Sequence, residues 1–155
     1  MKASRILVTV IVMVGVISVI ALFTGAIHIP LPSGSRNYPT VVNVSRSPCV
    51  RPPGFILIIA DLSGFNDSIG HGAPLHPWPI VQVQKGQVVR FLVCNLDPTQ
   101  AHGFAITYYF ERGVPIAPGD AYTIVFTANE AGTFAIYCNI FCTIHIYMRG
   151  QLVVS

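Results

Sequence analysis

The sequence predicts one N-terminal membrane-spanning α-helix followed by an all-β sandwich or barrel. Three observations carry that fold class. Twenty-two uncharged residues run from Ile6 to Ile27. Short apolar segments then recur at roughly 8–12-residue spacing, with turn residues between them. No helical period appears after residue 28. Composition sets the outer limits. With 155 residues, 52% hydrophobic and 10% charged, the chain is not disordered. Its 13 Gly and 12 Pro show no period of three, which excludes a collagen-like chain. A net charge of +3 forms no basic stripe, which excludes a dedicated nucleic-acid binder. The second half is too polar for a multi-span membrane protein.

At 1.5 Å per residue the apolar run makes about 33 Å of helix, enough to cross a hydrocarbon core of roughly 30 Å. It is longer than the core of a cleaved signal peptide and lacks an Ala-x-Ala site. Both points favour a retained anchor over residues 1–28. Lys2 and Arg5 precede the run and favour a cytoplasmic N-terminus. The rest of the chain then lies on the outer face of the cell membrane. Beyond the span stand seven Lys/Arg and six Asp/Glu, 13 charges on 128 residues. That is sparse for a wet surface and predicts cover by a partner or by membrane lipid.

Residues 29–53 hold Pro30, Pro32, Pro39, Pro48, Pro52 and Pro53 among Ser and Gly. They read as an extended linker. A β domain is expected over 54–155. Phe55–Ala60 is an apolar run of strand length. Asp61–Trp78, rich in Gly, Asn, Asp, His and Pro, reads as a long loop. Ile80–Gln84 and Val88–Cys94 alternate around a Lys85-Gly86 turn. Phe104–Tyr109, Tyr122–Ala128, Thr133–Cys138 and Gln151–Val154 complete the strands. Pro118-Gly119-Asp120 and Glu130-Ala131-Gly132 punctuate them.

The chemistry concentrates in the loop before the last strand. Cys138, Cys142, His145 and Met148 fall within 11 residues. Thiolate and thioether are soft ligands, and imidazole suits copper and zinc. A lone His102 follows the Val88–Cys94 strand, and two strand ends distant in sequence can meet at one pole of a sandwich. Nothing forms a catalytic triad, a paired carboxylate or a phosphate loop.

His102-Gly103-Phe104, Pro118-Gly119, Ala131-Gly-Thr-Phe134 and the Cys/His/Met loop resemble, in that order, the copper domain of cytochrome oxidase subunit II. The likeness runs from Pro79 to Val154. It is greatest to the short single-span version of B-type (ba-type) haem–copper oxidases. The resemblance implies a Greek-key cupredoxin domain behind the anchor. It implies a dinuclear CuA centre, with two copper ions bridged by Cys138 and Cys142. His102 and His145 would each ligate one copper. Met148 and the Ile140 carbonyl would be the weak ligands. The family usually has Glu at the Ile140 position, which a carbonyl ligand tolerates. The implied partners are the oxidase's haem-bearing subunit I and its other subunits, together with an external donor: cytochrome c, a small cupredoxin or a quinol route. Hydrophobic neighbours Phe104, Ile140, Phe141, Ile144 and Ile146 are expected to keep water from the metal.

One departure bears on the metal count. The family spacing resembles Cys-x3-Cys-x3-His-x2-Met, whereas this chain has two residues between Cys142 and His145, and Thr143 replaces the usual Gly. Cys-x2-His followed by Met also resembles mononuclear type 1 blue copper, with one copper held by His102, Cys142, His145 and Met148. In that alternative the chain is a membrane-tethered electron carrier and Cys138 is idle. Zinc, no metal, and a Cys138–Cys142 disulfide are further alternatives. Cys49 and Cys94 read equally as a disulfide or as unlinked thiols. His71 and His76 read as loop residues. Trp78 and Phe65 are candidate electron-receiving aromatics by loop position.

Overall fold

The computed structural model describes residues 38–45 and 49–155. The anchor expected over residues 1–28 lies outside them. Among the described residues no helix is long and apolar enough to cross a membrane.

Two five-stranded sheets face one another. The first contains β1 (Thr40–Asn43), β8 (Ala121–Thr127), β5 (Val88–Asn95), β2 (Ile56–Asp61) and β3 (Gly64–Asn66), in that order. The second contains β4 (Ile80–Val83), β10 (Arg149–Val154), β9 (Gly132–Tyr137), β6 (His102–Ile106) and β7 (Phe110–Ile116). β2 runs parallel to β5 and β4 parallel to β10, while the other pairings are antiparallel.

Alternation decides which face each strand turns inward. In β4, Val81 and Val83 are buried while Ile80 and Gln82 are exposed. In β10, Gly150, Leu152 and Val154 are buried on the same principle. Inward residues of both sheets form one core around Phe65, Phe91, Phe104, Ile106, Ile124, Ile136 and Leu152. Burying each such large side chain contributes about 1.5–3 kcal/mol. From Phe91 onward the central strand β5 is buried on both faces. Val89, Phe91 and Val93 enter the main core, while Leu92 and Cys94 join a smaller cluster with Leu57 and Ala121.

That second cluster takes in part of the stretch read as an extended linker. Within the stretch read as linker, β1 pairs with β8, and Val44 and Cys49 pack over the outer face of the first sheet. A disulfide joins Cys49 to Cys94 and pins this cover in place. Two further strands were not expected. β3 lies inside the stretch read as a long loop and spans only three residues. β7 carries Gly113 and Pro115, which normally break strands. It is an edge strand, where a missing N–H is tolerated. The strand expected to run to Tyr109 ends at Ile106, where the chain turns with Tyr108 at φ +68°.

Candidate metal centre

At one pole of the sandwich the β5–β6 connection meets the β9–β10 loop. The first segment is shaped by two short polar side chains. Buried Asn95 donates from Nδ2 to the Gln100 and Ile116 carbonyls at 2.8 and 2.9 Å, and its Oδ1 accepts the Asp97 amide. Asp97 Oδ1 accepts the Thr99 and Gln100 amides and the Thr99 hydroxyl at 2.8–3.0 Å. Burial pushes the Asp97 carboxyl upward. The Thr99 and Gln100 amides, the Thr99 hydroxyl and His102 outweigh it and hold the group at about 2. Asp97 is therefore a carboxylate.

That carboxylate fixes His102. The fully buried ring donates from Nε2 to Asp97 Oδ2 at 3.0 Å. An ionised carboxylate only accepts, so Nε2 carries a proton, and in the neutral ring Nδ1 is the nitrogen that keeps a lone pair. His102 Nδ1 is buried and has no hydrogen-bond partner. An orphaned buried acceptor costs roughly 1–3 kcal/mol. It marks a place for a ligand. His102, Cys138 and Cys142 each bring a donor atom to within 4.8 Å of the others, and all three are buried.

The β9–β10 loop supplies the remaining donors. Cys138 Sγ accepts the Gly103 amide at 3.1 Å, and its thiol donates to the Ile140 carbonyl at 3.2 Å. The Cys138 and Cys142 sulfurs lie 3.6 Å apart and are not bonded to each other. Cys142 Sγ is 3.5 Å from Met148 Sδ and 3.9 Å from His145 Nδ1. Burial, then the Cys138 thiol beside it, pushes the Cys142 thiol up to about 12. Without a cation Cys142 stays protonated, and metal binding must displace that proton.

The structure thus brings His102, Cys138, the Ile140 carbonyl, Cys142 and Met148 together in a largely buried cluster. His145 reaches the cluster only through Cys142, from an exposed position. A 3-10 turn at His145–Tyr147 directs the ring there. The set fits a soft metal. Its thioether points to copper rather than zinc, which takes Cys, His and carboxylates.

Several expectations are corrected at this site. Phe141 is 94% exposed and Ile146 55%, so both face solvent and shield nothing. Phe104, Ile140 and Ile144 do pack on the apolar side. Phe65 lies wholly inside the core with its ring 6.0 Å from Phe104, away from any surface where a donor could dock. Trp78 is half-buried and donates to Asp67 Oδ1 at 3.2 Å. His71 and His76 are exposed and belong to small β-bridges in their loop.

Sequence reasoning missed three supports. Asp97 carried a weak signal, as an acid in an Asn-x-Asp-Pro-Thr turn five residues before a candidate ligand. Gly103 stood out only as part of the His102-Gly103-Phe104 motif, which says nothing of its steric role. A Cβ there would lie 2.7 Å from the Asn139 amide nitrogen. Asn139 in turn donates to the Arg112 carbonyl at 3.0 Å and ties the loop to β7.

Residues 79–154 match the family described as Cupredoxin-like domain. A nitrous-oxide reductase from Ralstonia nicotianae is 32% identical over 86 residues, 54% of this chain and 13% of that protein. One from Cupriavidus necator is 33% identical over 77 residues, 48% of this chain and 12% of that protein. The chain therefore spans about an eighth of the relatives it matches. Among solved structures, a chain of a haem–copper terminal oxidase dimer superposes with TM-score 0.53 at 20% identity, covering 99% of both chains. Copper nitrite reductase from Nitrosomonas europaea superposes with TM-score 0.54 at 15% identity, covering 68% of this chain and 50% of that one. At these identities the structural likeness shows the fold. The two-sheet fold and the match over residues 79–154 are cupredoxin-like, and the donor set suits copper.

Proposed function

We propose that the chain is the subunit through which electrons enter a membrane-bound haem–copper terminal oxidase, holding a dinuclear CuA centre. The observation that carries this reading is the state of Cys138. Its sulfur is buried, accepts the Gly103 amide and faces Cys142 at 3.6 Å. A one-copper site has no use for a second thiol held in that position. Cys138 and Cys142 would bridge the two metals, with His102 and His145 as terminal ligands and Met148 and the Ile140 carbonyl as weak ones.

When bound, the copper pair would supply a one-electron redox centre. The chain's own residues do the rest. Asp97 holds His102 in the tautomer that leaves Nδ1 available. Phe104, Ile140 and Ile144 exclude water from the inner side. The sheet ends at Tyr137 and Arg149, paired in register, fix the span of the loop.

Three observations support the setting. The oxidase chain is matched over 99% of both lengths. The Cys49–Cys94 disulfide suits an oxidising compartment outside the cytoplasm. Exposed Phe141 and Ile146 give the scarcity of charge a location, an apolar rim beside His145 that a redox partner or an oxidase subunit would cover. Read with residues 1–28 as a membrane anchor, the domain would lie at the membrane's outer face. The mononuclear type 1 reading draws on His145, which contacts Cys142 but is absent from the cluster containing Cys138. Copper-loaded protein decides between the two. Two coppers per chain with a seven-line, delocalised EPR spectrum support CuA. One copper with a four-line signal and a blue colour overturns it.

A further inference from the structure

The loop that carries Cys138 through Met148 spans from one end of the second sheet, yet part of it rests on the first. Gly64 opens β3 and is buried, with φ +117°. A Cβ on Gly64 would collide with the Tyr147 carbonyl oxygen. It would also lie 2.6 Å from Tyr147 Cβ and 2.8 Å from the Tyr147 carbonyl carbon. Gly72 meets the same carbonyl oxygen at 3.1 Å from its own Cβ position. Tyr147 stands between His145 and Met148, two of the donors around Cys142. The hairpin beneath it is stiff. Asp61 accepts the Ser63 amide at 2.8 Å and the Asn66 side-chain amide at 2.8 Å across the β2–β3 turn.

We propose that Gly64, seconded by Gly72, is a positioning residue for the metal-binding loop: the bare backbone of the β2–β3 edge is the seat that sets the depth of Tyr147, and through it the reach of His145 and Met148 to Cys142. This rests on the reading of that loop as the copper loop. The other end of the loop is seated in the same manner. Asn139 fills the space left open at Gly103 and Gly113. The His and Met half of the loop thus takes its position from the first sheet and the Cys138 half from the second.

The test compares Gly64→Ala, Gly72→Ala and Gly86→Ala in the full chain held in detergent. Gly86 is the control. Its φ of +87° strains an alanine in the same way, but nothing lies within 4 Å of a Cβ there. Hydrogen exchange of the segment 143–149 reads loop position without metal. Excess copper(II) followed by absorption and EPR reads ligand geometry. The expected result is about tenfold faster exchange and an altered copper spectrum for Gly64→Ala. Gly72→Ala, with the milder contact, should show a smaller change of the same kind, and Gly86→Ala neither. If Gly64→Ala does not fold, Gly72→Ala alone carries the comparison. Wild-type exchange and an unchanged copper spectrum in Gly72→Ala, or equal effects from Gly86→Ala, overturn the proposal. If the wild-type chain takes up no copper, the proposed function fails, while the exchange measurement still judges the positioning.

Discussion

Asp97→Asn is the sharpest perturbation of the site, because the two side chains have the same shape and opposite hydrogen-bonding character on one atom. Asp97 Oδ1 accepts three donors, and Oδ2 accepts His102 Nε2–H at 3.0 Å. Asparagine can keep Oδ1 on the turn and present its amide nitrogen to His102. Two N–H groups then face each other. The imidazole escapes only by moving its proton to Nδ1, which removes the lone pair from the cluster. The reverse rotamer satisfies His102 but sets an NH2 against three donors, and the turn opens. Either outcome weakens metal binding. Loss of an outer-shell carboxylate typically costs about 10- to 100-fold in affinity, or roughly 1.4–2.7 kcal/mol. Apo stability should also fall by about 1.5–3 kcal/mol, the worth of a hydrogen bond to a charged group. Competition with a copper chelator measures the first quantity and urea denaturation the second. Copper affinity within twofold of wild type, at reduced apo stability, would show that Asp97 only closes a turn and does not orient His102.

Other expectations follow from the same geometry. The Cys49–Cys94 disulfide closes a loop with a sequence separation of 45, so Cys49→Ala should lower stability to urea by about 4 kcal/mol on the chain-entropy account. The outer cover of β5 should loosen while copper binding persists, which proteolysis and metal counts check. Phe141→Ser should change stability by no more than about 0.5 kcal/mol, since the ring is exposed, yet slow reduction by the redox donor. With no charge between Cys138 and Met148, that reduction should depend only weakly on salt, as stopped-flow at two ionic strengths would show. At Asp61, burial raises the carboxyl, but Ser63 and Asn66 hydrogen bonds, with the His71 charge, bring it below its ordinary value. A depressed folded-state value contributes stability above the ordinary carboxyl range and loses it as pH falls through the folded value. Urea midpoints near pH 7 and pH 3 should therefore converge in Asp61→Asn relative to wild type.

Strand content was legible wherever one face is buried and the period is two, as in β4, β5 and β10. It failed where the pairing partner decides. Thr40–Asn43 has four residues and no internal signal; its status comes from the open edge of β8, some 80 positions away. Phe110–Ile116 carries two strand breakers and survives because the edge of a sheet tolerates them. The donor set was legible because Cys, His and Met are uncommon and their spacing is local. Its supports were not, since Asp97, Gly103 and Gly64 act through contacts made only after folding. Phe141 and Ile146 show the limit of hydrophobicity as a guide. In a loop without strand or helix period, apolar character does not say which way a side chain points.

The shortened spacing between Cys142 and His145 then acquires a physical meaning. Cys142, His145 and Met148 recur every three residues, and the 3-10 helix has three residues per turn, with side chains at i and i+3 eclipsed. The chain turns through Thr143 and Ile144 and enters the 3-10 turn at His145–Tyr147, where the Tyr147 amide bonds the Ile144 carbonyl and the Met148 amide bonds that of His145. The short turn brings His145 and Met148 round to Cys142. The distances agree, with His145 at 3.9 Å and Met148 at 3.5 Å from Cys142. A loop one residue longer would need wider winding to reach the same contacts. Cys138 lies outside that period. It is placed instead by the end of β9, next to Tyr137, and by the Gly103 amide from β6. The two thiols therefore reach the pocket by independent means, one from the sheet and one from the turn. Selection for a single-copper site would need only the second.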